Sequence, residues 1–415
     1  MGISFILPVL VTLSGVYLLI KLRCFYILHP LRTLREFLSG LKDREARRSF
    51  FLALSGTLGV GNIFGVAAGI IIGGEGTLFW MFISSLFSAV IKYAEVSLVF
   101  SGNAGQEGMA GLILRTLRRG RVLSVAYAGL TIALSLFMGA AMQTSALCDV
   151  AEQALKLNPF ITALILVIFL LPALFGESRK IENITEFIIP MKTIIYIIMC
   201  FCAIFTNFDK LGEVIIRVIS SALSPNAVLG GGAALAIKEG FARGILSNEA
   251  GVGTSALAHA RHTDRSPHIA GLFGMCEVLF DTTLLCTLTG VAILVSVKDI
   301  SSFATPMALV FSAFSLSIGS ASGFLLPLIF FFAYATLICW FYYGTEYCRI
   351  YFGGHRSAYL FIFLAFVFYS HLLPSRPLLY LTDIILLLMT FLTLSVIIKR
   401  AEQIKKELPN LKELP

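Results

Sequence analysis

Charged residues are scarce in this chain. Asp, Glu, Lys and Arg supply 13% of its 415 residues, against about 25% in ordinary soluble domains. With 57% hydrophobic residues and a mean hydropathy of +0.88, that shortage excludes a soluble globular domain. It points to a polytopic membrane protein. Paired cysteines are also missing. The eight cysteines (24, 148, 200, 202, 276, 286, 339 and 348) lie mostly in or beside apolar runs with no CxxC spacing. They read as small buried hydrophobes, not as a disulfide frame or metal site. Six scattered histidines include His259 and His262, but no HExxH or cysteine partner accompanies them, which argues against a metal centre. No GxSxG, Walker A or kinase element occurs, so neither an ATP-driven pump nor a known hydrolase type is supported, and the chain is read as not an enzyme. Gly59, Gly61 and Gly65 mimic a dinucleotide fingerprint but lack the preceding strand it needs. The net charge of +8 would suggest nucleic acid in a soluble protein. In a membrane protein it reflects basic residues gathered in cytoplasmic loops, and no nucleic-acid partner is expected.

What is present is a series of long apolar runs. Candidate spans are 3–20, 50–72, 78–100, 122–147, 159–175, 187–205, 228–248, 269–297, 320–345, 357–373 and 378–398. The first has no Lys or Arg before it and a cluster after it, the reverse of a secretory signal. It reads as a retained helix with its N-terminus outside. That orientation places 24 of the 32 basic residues in cytoplasmic segments, with Arg243 counted at the inner end of the seventh span, and only five outside. The seventh span carries Lys238, Glu239 and Arg243 and is weak on hydropathy, yet removing it would reverse the charge bias of later loops.

Glycine interrupts two of these spans. In the second it recurs at 56, 59, 61, 65 and 69, and in the seventh at 230, 231, 232 and 240. Setting the first helix aside leaves five plus five spans, with the two interrupted ones first in each half and oppositely oriented. Interrupted segments at corresponding positions are the best sequence pointer to the binding site of an inverted-repeat transporter. The predicted layout is an N-terminal helix and basic linker over 1–49, repeats over 50–206 and 207–398, and a cytoplasmic tail over 399–415.

A break near Gly59–Gly61 would expose two helix ends inside the bilayer. The start of the second half-helix offers free N–H groups to a carboxylate. The end of the first half-helix offers free C=O groups to a cation. Asn62 adds a side-chain oxygen. An amino acid with a co-bound cation matches both ends; a packing seam of small residues is the competing reading. Asp281, mid-span with Thr282 and Thr283 beside it, is a costly intramembrane carboxylate and a candidate for cation binding, proton relay or bracing. Glu249, in Ser247-Asn-Glu-Ala-Gly-Val-Gly253, is placed at the inner face as a candidate gate or as part of a capped helix end. Lys192 is the other mid-span charge, long enough to snorkel. Gln143 and Thr336 are polar groups that could face the site.

GTLGVGNIFGVAAGIIIGGEGTLFWMF, KYAEV, ARGILSNEAGVGTSALAHA, FDTTLLCT and WFYYGTEYC resemble, in order and with compatible spacing over about 52–347, the motifs of the sodium:alanine (alanine or glycine:cation) symporter family. The resemblance implies an all-α fold of about 11 transmembrane helices, leucine-transporter-like, with a five-plus-five inverted repeat after an N-terminal helix. It implies sodium-coupled symport of a small neutral amino acid, alanine or glycine first, through a multi-pass protein of the cell membrane. By that resemblance Gly59, Val60 and Gly61 would meet the substrate carboxylate, with Gln143, Gly230 and Gly231 also lining the substrate. Ser55, Leu58 and Thr336 would form one sodium site, and Thr57 and Asn62 would help form a second. Glu249 and Asp281 would gate or couple. The sequence departs from the family where its serine before Thr336 is Ala335, where its threonine between the glycines is Val60, and where GGPG is GGEG with Glu75. A proton-coupled or uncoupled carrier, or a membrane protein that transports nothing, are the alternatives. Oligomeric state is not legible.

Overall fold

The computed structural model describes residues 5–102, 104–176, 178–223, 232–260, 266–354 and 356–408. Those residues form helices joined by short turns, with no strand among them. Seven helical stretches are long and apolar enough to cross a membrane by length and composition: Arg44–Gly73, Gly76–Ser101, Gly120–Leu155, Ile181–Thr206, Pro267–Ser296, Pro306–Phe352 and Pro377–Lys399. Three shorter apolar helices, Ile6–Lys21, Pro159–Leu174 and Arg356–Leu372, fall on three further predicted spans.

Local chemistry sets several helix ends. The Asp43 side chain accepts from the Ala46 N–H at 2.6 Å and so caps α1 (Arg44–Thr57). After a three-residue interruption, α2 (Gly61–Gly73) continues the same span and ends at Gly74, whose φ of 76° suits glycine. α3 (Gly76–Ser101) follows. α4 (Gly120–Leu155) contains a π-helical turn over Ser135–Met142. Asn158 caps Pro159–Leu174, with proline at the first helical position. α5 is Ser178–Thr206, α6 is Gly232–Asn248 and α7 is the short Ser255–His259. α8 (Pro267–Ser296) begins with a Ser266 cap and proline, and carries a second π-helical turn over Leu279–Cys286. α9 (Pro306–Ile318) precedes the long α10 (Leu325–Phe352), and α11 (Ser375–Lys399) is the last long helix.

α3 packs along both α8 and α6, and α2 packs against α6 and α9. α1 lies against α5, α7 and α10. The two interrupted spans are thus enclosed by continuous helices.

The seventh span differs from expectation. Of its expected interruption, Gly230 and Gly231 lie outside the described residues, and Gly232 begins α6. The described chain breaks at 249–254, where Glu249, Gly251 and Gly253 take φ of 53°, 79° and 92°. Two of these three positions are glycine, which tolerates that region freely. Topology places this small-residue-rich segment at or just below the inner membrane face. Every residue from Glu239 to Ala260 is nevertheless buried.

Arg243 is likewise no helix-end cation. It is buried within α6, 3.2 Å from Glu239 and 2.5 Å from Asp383 on α11. Arg243→Met would leave Asp383 without its cation and Glu239 with Lys238 alone, 3.0 Å away. We expect a loss of about 3–5 kcal/mol, measured as a lower midpoint of thermal unfolding in detergent.

Candidate functional site

The first break is short, and most of its backbone groups have named partners. α1 ends at Thr57, and Leu58 leaves helical geometry with φ −75° and ψ 66°. The Gly59 N–H turns back to the Thr57 carbonyl at 2.8 Å. The Val60 N–H donates to Gln143 Oε1 at 2.8 Å. Gln143 follows directly on the π-helical turn of α4, and such turns recur where a helix presents a functional side chain. Of the three amides expected to face a carboxylate, only that of Gly61 has no partner among these loop hydrogen bonds.

Close approach explains one of the glycines. A Cβ on Gly59 would stand 2.8 Å from Thr336 Oγ1 and 2.9 Å from Gln143 Oε1, so no side chain fits. Gly61 is the opposite case. It is buried, yet a Cβ built there would have no heavy atom within 4 Å. Open space therefore lies inside the protein beside the free amide at the start of α2.

Residues beside the two breaks, Asn62 and Ser247, converge on Asp281, in the π-helical turn of α8. Asn62 Nδ2 donates to Asp281 Oδ1. Ser247 Oγ and Thr282 Oγ1 both reach Oδ2, at 2.6 and 2.7 Å. Asn248 Nδ2 donates to Thr282 Oγ1 at 3.0 Å. Asn62 Oδ1 is buried without a partner. Asp281 is thus held by one amide N–H and two hydroxyls, and its carboxylate with the Asn62 Oδ1 offers hard oxygen atoms of the kind a cation such as Na⁺ takes. Thr57 is buried nearby in sequence, but its hydroxyl donates to the Leu54 carbonyl at 3.3 Å.

The other expected sodium position has different chemistry. Thr336 Oγ1 donates to the Ser55 carbonyl at 2.8 Å. The Leu58 carbonyl, however, accepts from Lys192 Nζ at 2.6 Å. Lys192 does not snorkel: it is 0% exposed, and its amine lies 4.3 Å from the centre of the Phe332 ring. An amine already on that oxygen does not fit a sodium ion bound at the same place.

Glu249 sits in the second break. Its side chain accepts from Thr254, and its carbonyl and that of Asn248 accept from Lys92 Nζ at 3.3 and 3.2 Å. Glu95 Oε2 accepts from the Gly251 N–H at 2.9 Å, and Lys92 also lies 3.8 Å from Glu95 and from Glu277. Ser247, Thr282, Lys92 and Lys192 complete the constellation although they were not among the expected site residues. The one signal for the two lysines was a charge inside an apolar run. At the far end of α2, Glu75 pairs with Arg217 at 3.2 Å.

The fold is that of a transporter of the leucine-transporter-like class. The crystal structure of MhsT in complex with L-phenylalanine superposes with a TM-score of 0.62 at 14% identity, covering 86% of this chain and 88% of that one. The sequence profile of the sodium:alanine symporter family matches residues 1–413, and the chain belongs to that family. Among its relatives, an uncharacterized transporter of Haemophilus influenzae is 31% identical over 70% of this chain and 67% of its own length. A probable sodium/glutamine symporter of Bacillus subtilis is 30% identical over 81% of this chain and 72% of its own. Apolar helices and family together make it a multi-pass membrane protein.

Gln143→Leu would bury the Val60 N–H without an acceptor, at a cost of about 1–3 kcal/mol. We expect a lower thermal-unfolding midpoint, and a smaller stabilising shift on adding amino-acid substrate than wild type shows.

Proposed function

We propose that the protein is a secondary carrier that moves a small neutral amino acid, alanine or glycine first, across the cell membrane by alternating access with Na⁺ as coupling ion. The observation that carries this reading is the buried open space beside Gly61 at the start of α2, one residue before Asn62, which hydrogen-bonds Asp281. A substrate carboxylate suits the α2 start, where the helix dipole and free N–H favour an anion. Two carboxylates near one another in a low-dielectric site repel strongly. A cation shared by Asp281, Asn62, Ser247 and the substrate would remove that repulsion, so each ligand binds better in the presence of the other. Leu246 Cδ2, 3.8 Å from a Cβ built on Gly65, bounds the space one turn further on and favours a small side chain.

The proposed layout has the N-terminus outside and the C-terminus cytoplasmic, with inverted repeats over 50–206 and 207–398. A Na⁺ ion entering down 100 mV contributes about 2.3 kcal/mol. At about 1.4 kcal/mol per tenfold that concentrates substrate some tens-fold. Glu249 and Asp281 are the coupling candidates, Asp281 through the ion and Glu249 through the second break.

Proteoliposomes with an inward Na⁺ gradient should accumulate alanine or glycine, and replacing Na⁺ by choline should abolish accumulation. Undiminished accumulation in choline would refute sodium coupling and leave the proton-coupled or uncoupled carrier. Gly61→Leu should fold and insert but lose substrate binding, whereas wild-type affinity in that variant would show that the glycine serves packing alone. Asp281→Asn should retain the hydrogen-bonding shape and weaken Na⁺-dependent substrate binding at least tenfold, read as the Na⁺ concentration needed for half-maximal binding.

A further inference from the structure

The carbonyl end of α1 carries the partial negative charge of a helix terminus. Its Leu58 oxygen points away from α1's own hydrogen bonds, and Lys192 from α5 supplies the donor. Three features make this more than a lysine that happens to reach a carbonyl. First, the amine rests on the face of Phe332, and Phe332 lies one helical turn before Thr336 on α10. A cation is drawn to such a ring face. Secondly, Thr336 fixes the Ser55 carbonyl and stands against Gly59. Lys192 and Thr336 therefore bind successive parts of one backbone segment, the place where the family resemblance put a metal ion. Thirdly, among the described residues no carboxylate lies within ion-pair distance of Lys192. Lys92, which serves the second break in the same manner, has Glu95 and Glu277 beside it. Lys192 thus meets helix-end carbonyl and ring face alone, the surroundings a bound monovalent ion would have.

We propose that the tethered Lys192 amine takes the place of one transported ion at the end of α1, donating to the carbonyl that such an ion would bind. The carrier then binds at most one Na⁺, the ion at Asp281. A free ion at Leu58 would have to leave in every cycle and would carry its gradient's energy with it. A tethered amine holds α1 to α5 and α10 without being released, so this position contributes cohesion and no driving force. Ala335 agrees with the substitution: beside Thr336 a second hydroxyl has no ion to ligate. The proposal rests on the carrier reading only for the ion at Asp281, and its test needs no amino acid.

Radioactive Na⁺ binding to purified protein in detergent decides it, with wild type compared to Lys192→Ala, alone and combined with Ala335→Ser. Wild type should bind no more than one Na⁺ per chain, and the double variant one more than wild type. Two Na⁺ bound by wild type would overturn the proposal, as would a folded double variant that gains none. If the double variant fails to fold, the wild-type count decides by itself. Zero Na⁺ on wild type with one gained in the double variant would sustain the tethered amine while refuting sodium coupling at Asp281. Two on wild type would do the reverse.

Discussion

Two chain breaks inside an apolar bundle impose the constraint on which the rest of this protein depends. A helix that unwinds there strands backbone N–H and C=O groups where water cannot serve them, and such breaks persist only where protein or a ligand satisfies them. Here neighbouring helices supply the partners. Gln143 from α4 takes the Val60 amide, Lys192 from α5 the Leu58 carbonyl, and Thr336 from α10 the Ser55 carbonyl. Across the bundle, Lys92 from α3 takes the Asn248 and Glu249 carbonyls, and Glu95 takes the Gly251 amide. The continuous helices are therefore a frame that holds two irregular segments in register.

The frame leaves unserved the groups beside which a ligand fits. The open space at Gly61 and the Asn62 Oδ1, which has no hydrogen-bond partner among the described residues, belong to adjacent residues at the start of α2, and Asn62 also bonds Asp281. Charge follows the helix termini: amines meet carbonyl ends, and an anion suits the amide end. The two π-helical turns place Gln143 and Asp281, one for each side of this arrangement. The same geometry puts an amine on the Leu58 carbonyl and three hydrogen-bond donors on Asp281.

Much of this was legible beforehand. Scarce charge and long apolar runs gave the membrane class. The glycines of 56–69 marked the first break within a residue or two, because only glycine permits the close approach of Thr336 and Gln143 at Gly59. Asp281 stood out because an unpaired carboxylate in an apolar run is costly. The break at 249–254 was not legible, while Gly230 and Gly231 lie outside the described residues. Topology alone places this small-residue-rich stretch at or just below the inner membrane face. Its burial depends on Lys92, Glu95 and Glu277, which come from distant parts of the chain.

The sequence by itself determined what local spacing and composition can carry: an all-helical membrane protein, its family, and the first broken helix with its carboxylate beyond. Only the tertiary structure decided which polar group meets which. Lys192 and Leu58 are 134 positions apart, and Asn62 and Asp281 are 219 apart. No periodicity links such pairs. They meet because each backbone group stranded at a break must find a partner among the side chains that packing brings within reach, and packing is a property of the folded bundle.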